Sequence, residues 1–139
     1  MKRALTFGVF DLLHYGHFEL FRKIKELVGP DGEVIVALQK DEWVSKFKPV
    51  QIVYDFEVRR RMLETLRTVD RVVPYEQVGV DAVKDIAFDL LCVGPEHTSE
   101  RFQTLFRWCS EQGREVVVIP RTDGISTTVL KDRIKNHQA

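Results

Sequence analysis

The feature that most constrains this chain is an alternation of two kinds of segment. Short runs rich in Val, Ile and Leu, at 3–10, 33–39, 70–75, 88–94 and 114–120, take turns with longer amphipathic stretches at 17–28, 54–69, 79–87, 99–113 and 126–137. In the first of these, Phe18, Leu20, Phe21, Ile24, Leu27 and Val28 recur at helical spacing. Gly113 closes the fourth as a C-terminal cap, and the hydroxyl residues from Ser126 open the fifth. Parallel strands need right-handed crossovers, and helices supply them. The pattern therefore predicts a single α/β, Rossmann-like domain over residues 1–139, with a five-stranded parallel sheet and helices on both faces. Ligands of such sheets bind beyond the carboxyl ends of the strands. That rule selects residues 8–17, 39–50, 94–98 and 120–128.

Charge and cysteine usage narrow the classes. Lys plus Arg and Asp plus Glu both number 21, so the net charge is zero. A nucleic-acid binder working through phosphates carries a basic excess, so that partner is not expected. No apolar run approaches the roughly 20 residues that cross a bilayer, so no membrane partner is expected either. Met1-Lys2-Arg3 leads straight into a strand-like run without a signal-peptide pattern, which predicts a cytoplasmic protein. Cys92 and Cys109 lack metal-ligand spacing and read as buried small hydrophobes.

Three selected segments carry candidate chemistry. In "GVFDLLHYGH", Gly8 follows the first strand, His14 lies in the next turn and His17 starts the first helix. Unpaired backbone N–H groups and the dipole make that end an anion site. In "KDEWVSKFKPV", which has neither helical nor strand period and reads as a loop, Lys46 and Lys48 stand two apart, within reach of one polyphosphate. In "PRTDGISTTVLKDRI", Arg121 offers a planar fork of donors, and Ser126, Thr127 and Thr128 offer hydroxyls at a helix start. Neither the P-loop pattern nor G-x-G-x-x-G is present. The expected phosphate site is thus assembled from both ends of the chain.

These stretches resemble the two signatures of the cytidylyltransferase branch of the nucleotidylyltransferase superfamily. "HYGH", His14 to His17, matches its H-x-G-H motif, and "RTDGISTT", Arg121 to Thr128, matches R-T-x-G-I-S-T-T. "RRRMLETLRTVDRVVP" is similar to a further pattern of the branch, and the resemblance covers nearly the whole chain. There are departures. Val9 stands where the nearest branch has Thr, and "GPEH", Gly94 to His97, stands where it has G-D-D-W. Glu96 then takes the place of a carboxylate near the nucleotide, and His97 that of an aromatic residue.

The resemblance implies transfer of CMP from CTP to a small phosphorylated alcohol, glycerol 3-phosphate first, with release of pyrophosphate. It implies His14, His17, Lys46 and Arg121 as the catalytic set. The nucleotide is then held by Gly8, Val9, Phe10, His14, Tyr15, Gly16 and His17, by Lys46 and Glu96, and by Arg121, Thr122, Asp123, Gly124, Ile125, Ser126, Thr127 and Thr128. Lys48, Arg59 and Arg67 fall to the acceptor. Mg²⁺ is the implied cofactor, carried mainly by CTP and water, with Asp11 the one carboxylate suggested as a helper. A homodimer is implied, with the arginine-rich stretch 58–67 as its candidate interface. A phosphate monoester, with a second pKa near 6, is largely dianionic at neutral pH and needs no general base. The histidines then read as donors to oxygens that gain charge as pyrophosphate leaves. Three other readings stay open: adenylyl transfer from ATP, CTP transfer to phosphoethanolamine, phosphocholine or a capsule precursor, and a non-catalytic nucleotide-binding module.

Overall fold

The computed structural model describes residues 1–47 and 51–137. The elements in chain order are β1 (Arg3–Gly8), α1 (Tyr15–Val28), β2 (Glu33–Gln39), α2 (Asp41–Phe47), α3 (Phe56–Glu64), β3 (Arg71–Tyr75), α4 (Val80–Val83), β4 (Leu90–Val93), α5 (Glu100–Glu111), β5 (Glu115–Val118) and α6 (Thr127–Asn136). The strands form one sheet in the order β3-β2-β1-β4-β5, and every pairing is parallel. The α/β expectation holds, and so does the strand count.

Alternate strand residues feed opposite faces, as the two-residue period requires. Leu5, Phe7, Ile35, Ala37, Leu91 and Val93 pack with Val83 of α4 and with Leu105 and Cys109 of α5. Ala4, Val34, Leu90 and Cys92 pack with Ile24 and Val28 of α1. Val36 and Leu38 meet Phe21 of α1 and Leu63 of α3. Both cysteines are free and buried, as expected. Pro74 sits in β3, an edge strand, where a missing backbone donor is tolerated.

Several elements are shorter than in the sequence reading, α4 among them at Val80–Val83, and two differences bear on the site. The stretch after β2 is helical over Asp41–Phe47 rather than a loop. Asp41 and Glu42 occupy its first turn, where the dipole favours negative charge, and Val44 anchors it in the core. Seven residues, fewer than two full turns, are too few to display a period. The second long helix, expected over 54–69, spans only Phe56–Glu64. Thr65 caps it, its hydroxyl donating to the Met62 carbonyl at 2.7 Å, and tight turns through Leu66 lead into β3. At the end of α5 the left-handed Gly113 (φ 72°) follows the cap, as expected.

The strand order reverses at β1: β2 and β3 lie on one side of it, β4 and β5 on the other. Loops leaving β1 and β4 therefore diverge at their carboxyl ends, and a cleft of about 630 Å³ opens there.

Candidate active site

The β1–α1 turn forms the floor of the cleft. His14 is the N-cap of α1 and His17 its third residue. The two imidazoles cap the helix reciprocally: Gly16 N–H donates to His14 Nδ1 at 3.1 Å, and His14 N–H donates to His17 Nδ1 at 3.2 Å. Their rings stack with centroids 3.8 Å apart. Burial, followed by the Arg121 charge, lowers the His14 pKa. Burial, then His14, then Arg121 push that of His17 down to about 3. Both rings are therefore neutral at pH 7. Since each Nδ1 accepts a hydrogen bond, each ring carries its proton on Nε2. Sequence alone could not separate capping from anion binding here. The cap consumes Nδ1 and leaves one Nε2–H donor per ring.

The opposite wall comes from β5 and α6. Ser126 is the N-cap of α6, its Oγ accepting from Val129 N–H at 3.1 Å. Thr127 and Thr128 bring their hydroxyls, and the first-turn N–H groups have no intrahelical acceptor. Arg121, Thr122 and Ile125 line the same wall. Arg121 forms a two-point pair with Glu96, Nη2 to Oε1 at 2.8 Å and Nε to Oε2 at 3.2 Å, which holds the Glu96 carboxyl below its usual range. Glu96 folds back over Gly94, where a Cβ would lie 2.6 Å from Oε1. His97 Nδ1 accepts from Gly94 N–H at 3.1 Å, and its ring stacks on Phe102.

Most of the expected residues converge. Gly8, Val9, Phe10, Gly16 and both histidines line the cleft, as do Glu96, Arg121, Thr122, Ile125, Ser126, Thr127 and Thr128. Tyr15 points outward, 60% exposed, and hydrogen-bonds Glu19. Asp123 and Gly124 form the turn before α6, outside the lining. Lys46, at the end of α2, rests its ammonium 4.5 Å from the Trp43 ring, also outside the lining. Lys48 lies outside the described residues.

Arg59 departs from its expected place at an acceptor site. It is wholly buried. Its guanidinium donates to Val9 O at 2.8 Å, to Tyr54 O at 3.0 Å and to Asp41 Oδ1 at 2.5 Å. The side chain braces three segments against one another. Arg67 is exposed beyond α3 and does not line the cleft. Asp11 is likewise engaged: Oδ2 accepts from Val53 N–H at 2.6 Å and Oδ1 from Tyr54 N–H at 2.8 Å. It ties the chain before α3 to the cleft floor. Among the described residues no three His, Cys, Asp or Glu side chains cluster to hold a metal.

Lys131 was missed. It lines the cleft from α6. The signal was available, because it follows Thr127 by four positions and Thr128 by three and so shares their helix face. Its charge matters, since the histidines are neutral, Arg59 is paired with Asp41, and Arg121 is paired with Glu96.

Among the described residues, no helix is long and apolar enough to cross a membrane. A glycerol-3-phosphate cytidylyltransferase of Staphylococcus aureus (strain NCTC 8325 / PS 47) is 39% identical, over 100% of this chain and 99% of its own length. One of Bacillus subtilis (strain 168) is 37% identical over 96% and 98%. A lipopolysaccharide core biosynthesis protein of Thermoplasma volcanium GSS1 has the same fold, with a TM-score of 0.70, 24% identity and coverage of 88% and 97%. The cytidylyltransferase-like family matches residues 5–133, nearly the whole chain, and this chain belongs to that family.

Proposed function

We propose that the protein transfers CMP from CTP to glycerol 3-phosphate, giving CDP-glycerol and pyrophosphate. The observation that carries this reading is the reciprocal histidine cap, which leaves two Nε2–H donors in a cleft whose other wall is a helix N-terminus. The identity to the two bacterial enzymes supports the choice of CTP and glycerol phosphate.

A phosphate oxygen of the acceptor attacks the α-phosphorus of CTP. The new P–O bond forms as the bond to the bridging oxygen breaks, and that electron pair leaves on pyrophosphate. The acceptor phosphate is already deprotonated, so the protein has no proton to remove. His14 and His17 donate to oxygens whose charge grows in this step. The start of α6, with Thr127, Thr128, Arg121 and Lys131, holds the triphosphate. By the resemblance, Lys46 and Lys48 add positive charge for the same phosphates. Mg²⁺ would accompany CTP, held mainly by phosphate oxygens and water, and would supply charge neutralisation between two polyanions. Asp11 lines the cleft with each oxygen accepting one amide, from Val53 and Tyr54, and its remaining lone pairs would be the protein's contribution to the ion. The finer expectations of a homodimer and of a cytoplasmic setting, where CTP is made and used, belong to this reading.

The test is pyrophosphate release with CTP or ATP against glycerol 3-phosphate, phosphoethanolamine and phosphocholine, with products identified by mass. CTP with glycerol 3-phosphate should exceed every other pair by at least about tenfold, the size of one unpaired polar group. Release from ATP alone, or from no pair, overturns the proposal.

A further inference from the structure

Phe10 is the one non-glycine residue among those described that has a left-handed backbone, with φ at 48°. Phenylalanine rarely adopts that conformation, and it persists only where packing over-determines it. The positive φ turns the ring back over Gly8, where a Cβ would stand 2.6 Å from Phe10 Cε2 and Cζ. From there the ring meets His17 edge-on, with centroids 5.3 Å apart and planes at 80°, and leans on Phe21 at 5.2 Å. It is only 8% exposed, so it has little surface left for a nucleotide. His17 is thus enclosed by Phe10 on one side and by the stacked His14 ring on another, with its Nδ1 held by the His14 amide.

We propose that Phe10 is a positioning residue for His17, its strained backbone and the bare Cα of Gly8 together placing an aromatic wall that fixes the imidazole and keeps water from it. The charged and titratable groups facing His17 are His14 and Arg121, and both oppose a proton. Glu96 pairs with Arg121 and tempers its charge, but among the described residues no carboxylate acts on His17 directly. Phe10 is one of the groups that bury His17, and burial is the largest cause keeping it a neutral Nε2–H donor. Gly8 is then required because of Phe10, whatever ligand the cleft takes.

The experiment follows the His17 ring by NMR between pH 3 and 8 in ligand-free wild type, Phe10→Ala, Phe10→Leu and Gly8→Ala. Phe10→Ala should raise the His17 pKa by about one unit or more as water reaches the ring. Gly8→Ala, which displaces the phenyl ring, should raise it as well, and Phe10→Leu by a smaller step. A role confined to folding leaves the titration where it was. In folded Phe10→Ala, kcat with CTP should fall at least about tenfold while KM changes less, as expected when a donor is misplaced rather than lost. This kinetic arm rests on the proposed cytidylyl transfer, whereas the titration needs no substrate. A wild type inert toward CTP therefore leaves the Phe10 result readable. If Phe10→Ala does not fold, Phe10→Leu and Gly8→Ala decide. A His17 titration equal to wild type in the folded variants overturns the proposal.

Discussion

Arg121 and Glu96 meet across the ends of β5 and β4 in a two-point pair, 2.8 and 3.2 Å long, that takes Nε–H and one Nη2–H of the guanidinium. Three of its five N–H donors stay available to phosphate. Arg121 can therefore keep Glu96 and grip a triphosphate at once, which a point charge on a flexible stem cannot. Arg121→Lys should lower kcat/KM for CTP about tenfold or more. Glu96→Gln removes one exposed ion pair and should cost less than about fivefold. Steady-state kinetics on the two variants gives the ranking. The reverse order would mean that Arg121 serves the pair rather than the phosphates.

The histidines make a sharper demand. Each has spent Nδ1 on the helix cap, and each has one donor left for the reaction. His14→Ala and His17→Ala should each reduce kcat by about 10²-fold or more, the usual loss for one transition-state donor, with a smaller effect on CTP affinity. Single-turnover measurements at saturating CTP isolate the step. Near-normal turnover in both variants would reduce the pair to a helix cap.

The same burial makes stability depend on pH. Burial pushes the His17 pKa from the usual 6.5 down to about 3 in the folded protein, and that of His14 is lowered too. Between pH 6.5 and 3 the unfolded chain binds the proton that folded His17 refuses. Stability is therefore fully present above pH 6.5 and is lost as pH falls through this window, by up to about 1.4 kcal/mol per pH unit for one proton. Urea unfolding at a series of pH values should show a shallower acid loss for His17→Gln than for wild type. Identical slopes would sink the assignment.

How much of this was legible depends on what each residue had to signal. The strands were plain because Val, Ile and Leu buried on both faces leave an unmistakable run, as in Val34 to Leu38. The histidine pair was legible because two imidazoles beside a glycine after a first strand have few other uses. The α2 helix was not, since seven residues are too short to set a period. The brace made by Arg59 was not legible for a physical reason: an arginine in a charged run looks like surface, and only its acceptors, Val9 O and Tyr54 O among them, reveal it. Lys131 was overlooked beside the adjoining hydroxyl residues, although helical spacing put it on their face.

Arg59 and Arg67 test that lesson directly, because the sequence reading gave both the same task at the acceptor. The structure separates them. Arg59 is wholly buried, and its removal leaves Asp41 without its partner and two carbonyls without donors. Arg67 is exposed. Breaking a buried ion pair by deleting one side is strongly destabilising, whereas most surface substitutions are nearly neutral. Arg59→Ala should cost about 2–4 kcal/mol in urea unfolding, less than a full deep-core pair because Asp41 keeps some contact with water. Arg67→Ala should stay within about 0.5 kcal/mol. Arg59 also grips the Val9 carbonyl in the β1–α1 turn, so its loss should loosen the histidine pair and lower kcat rather than raise KM for glycerol 3-phosphate alone. An Arg59→Ala protein of wild-type stability, with only its acceptor KM raised, would return this arginine to the substrate.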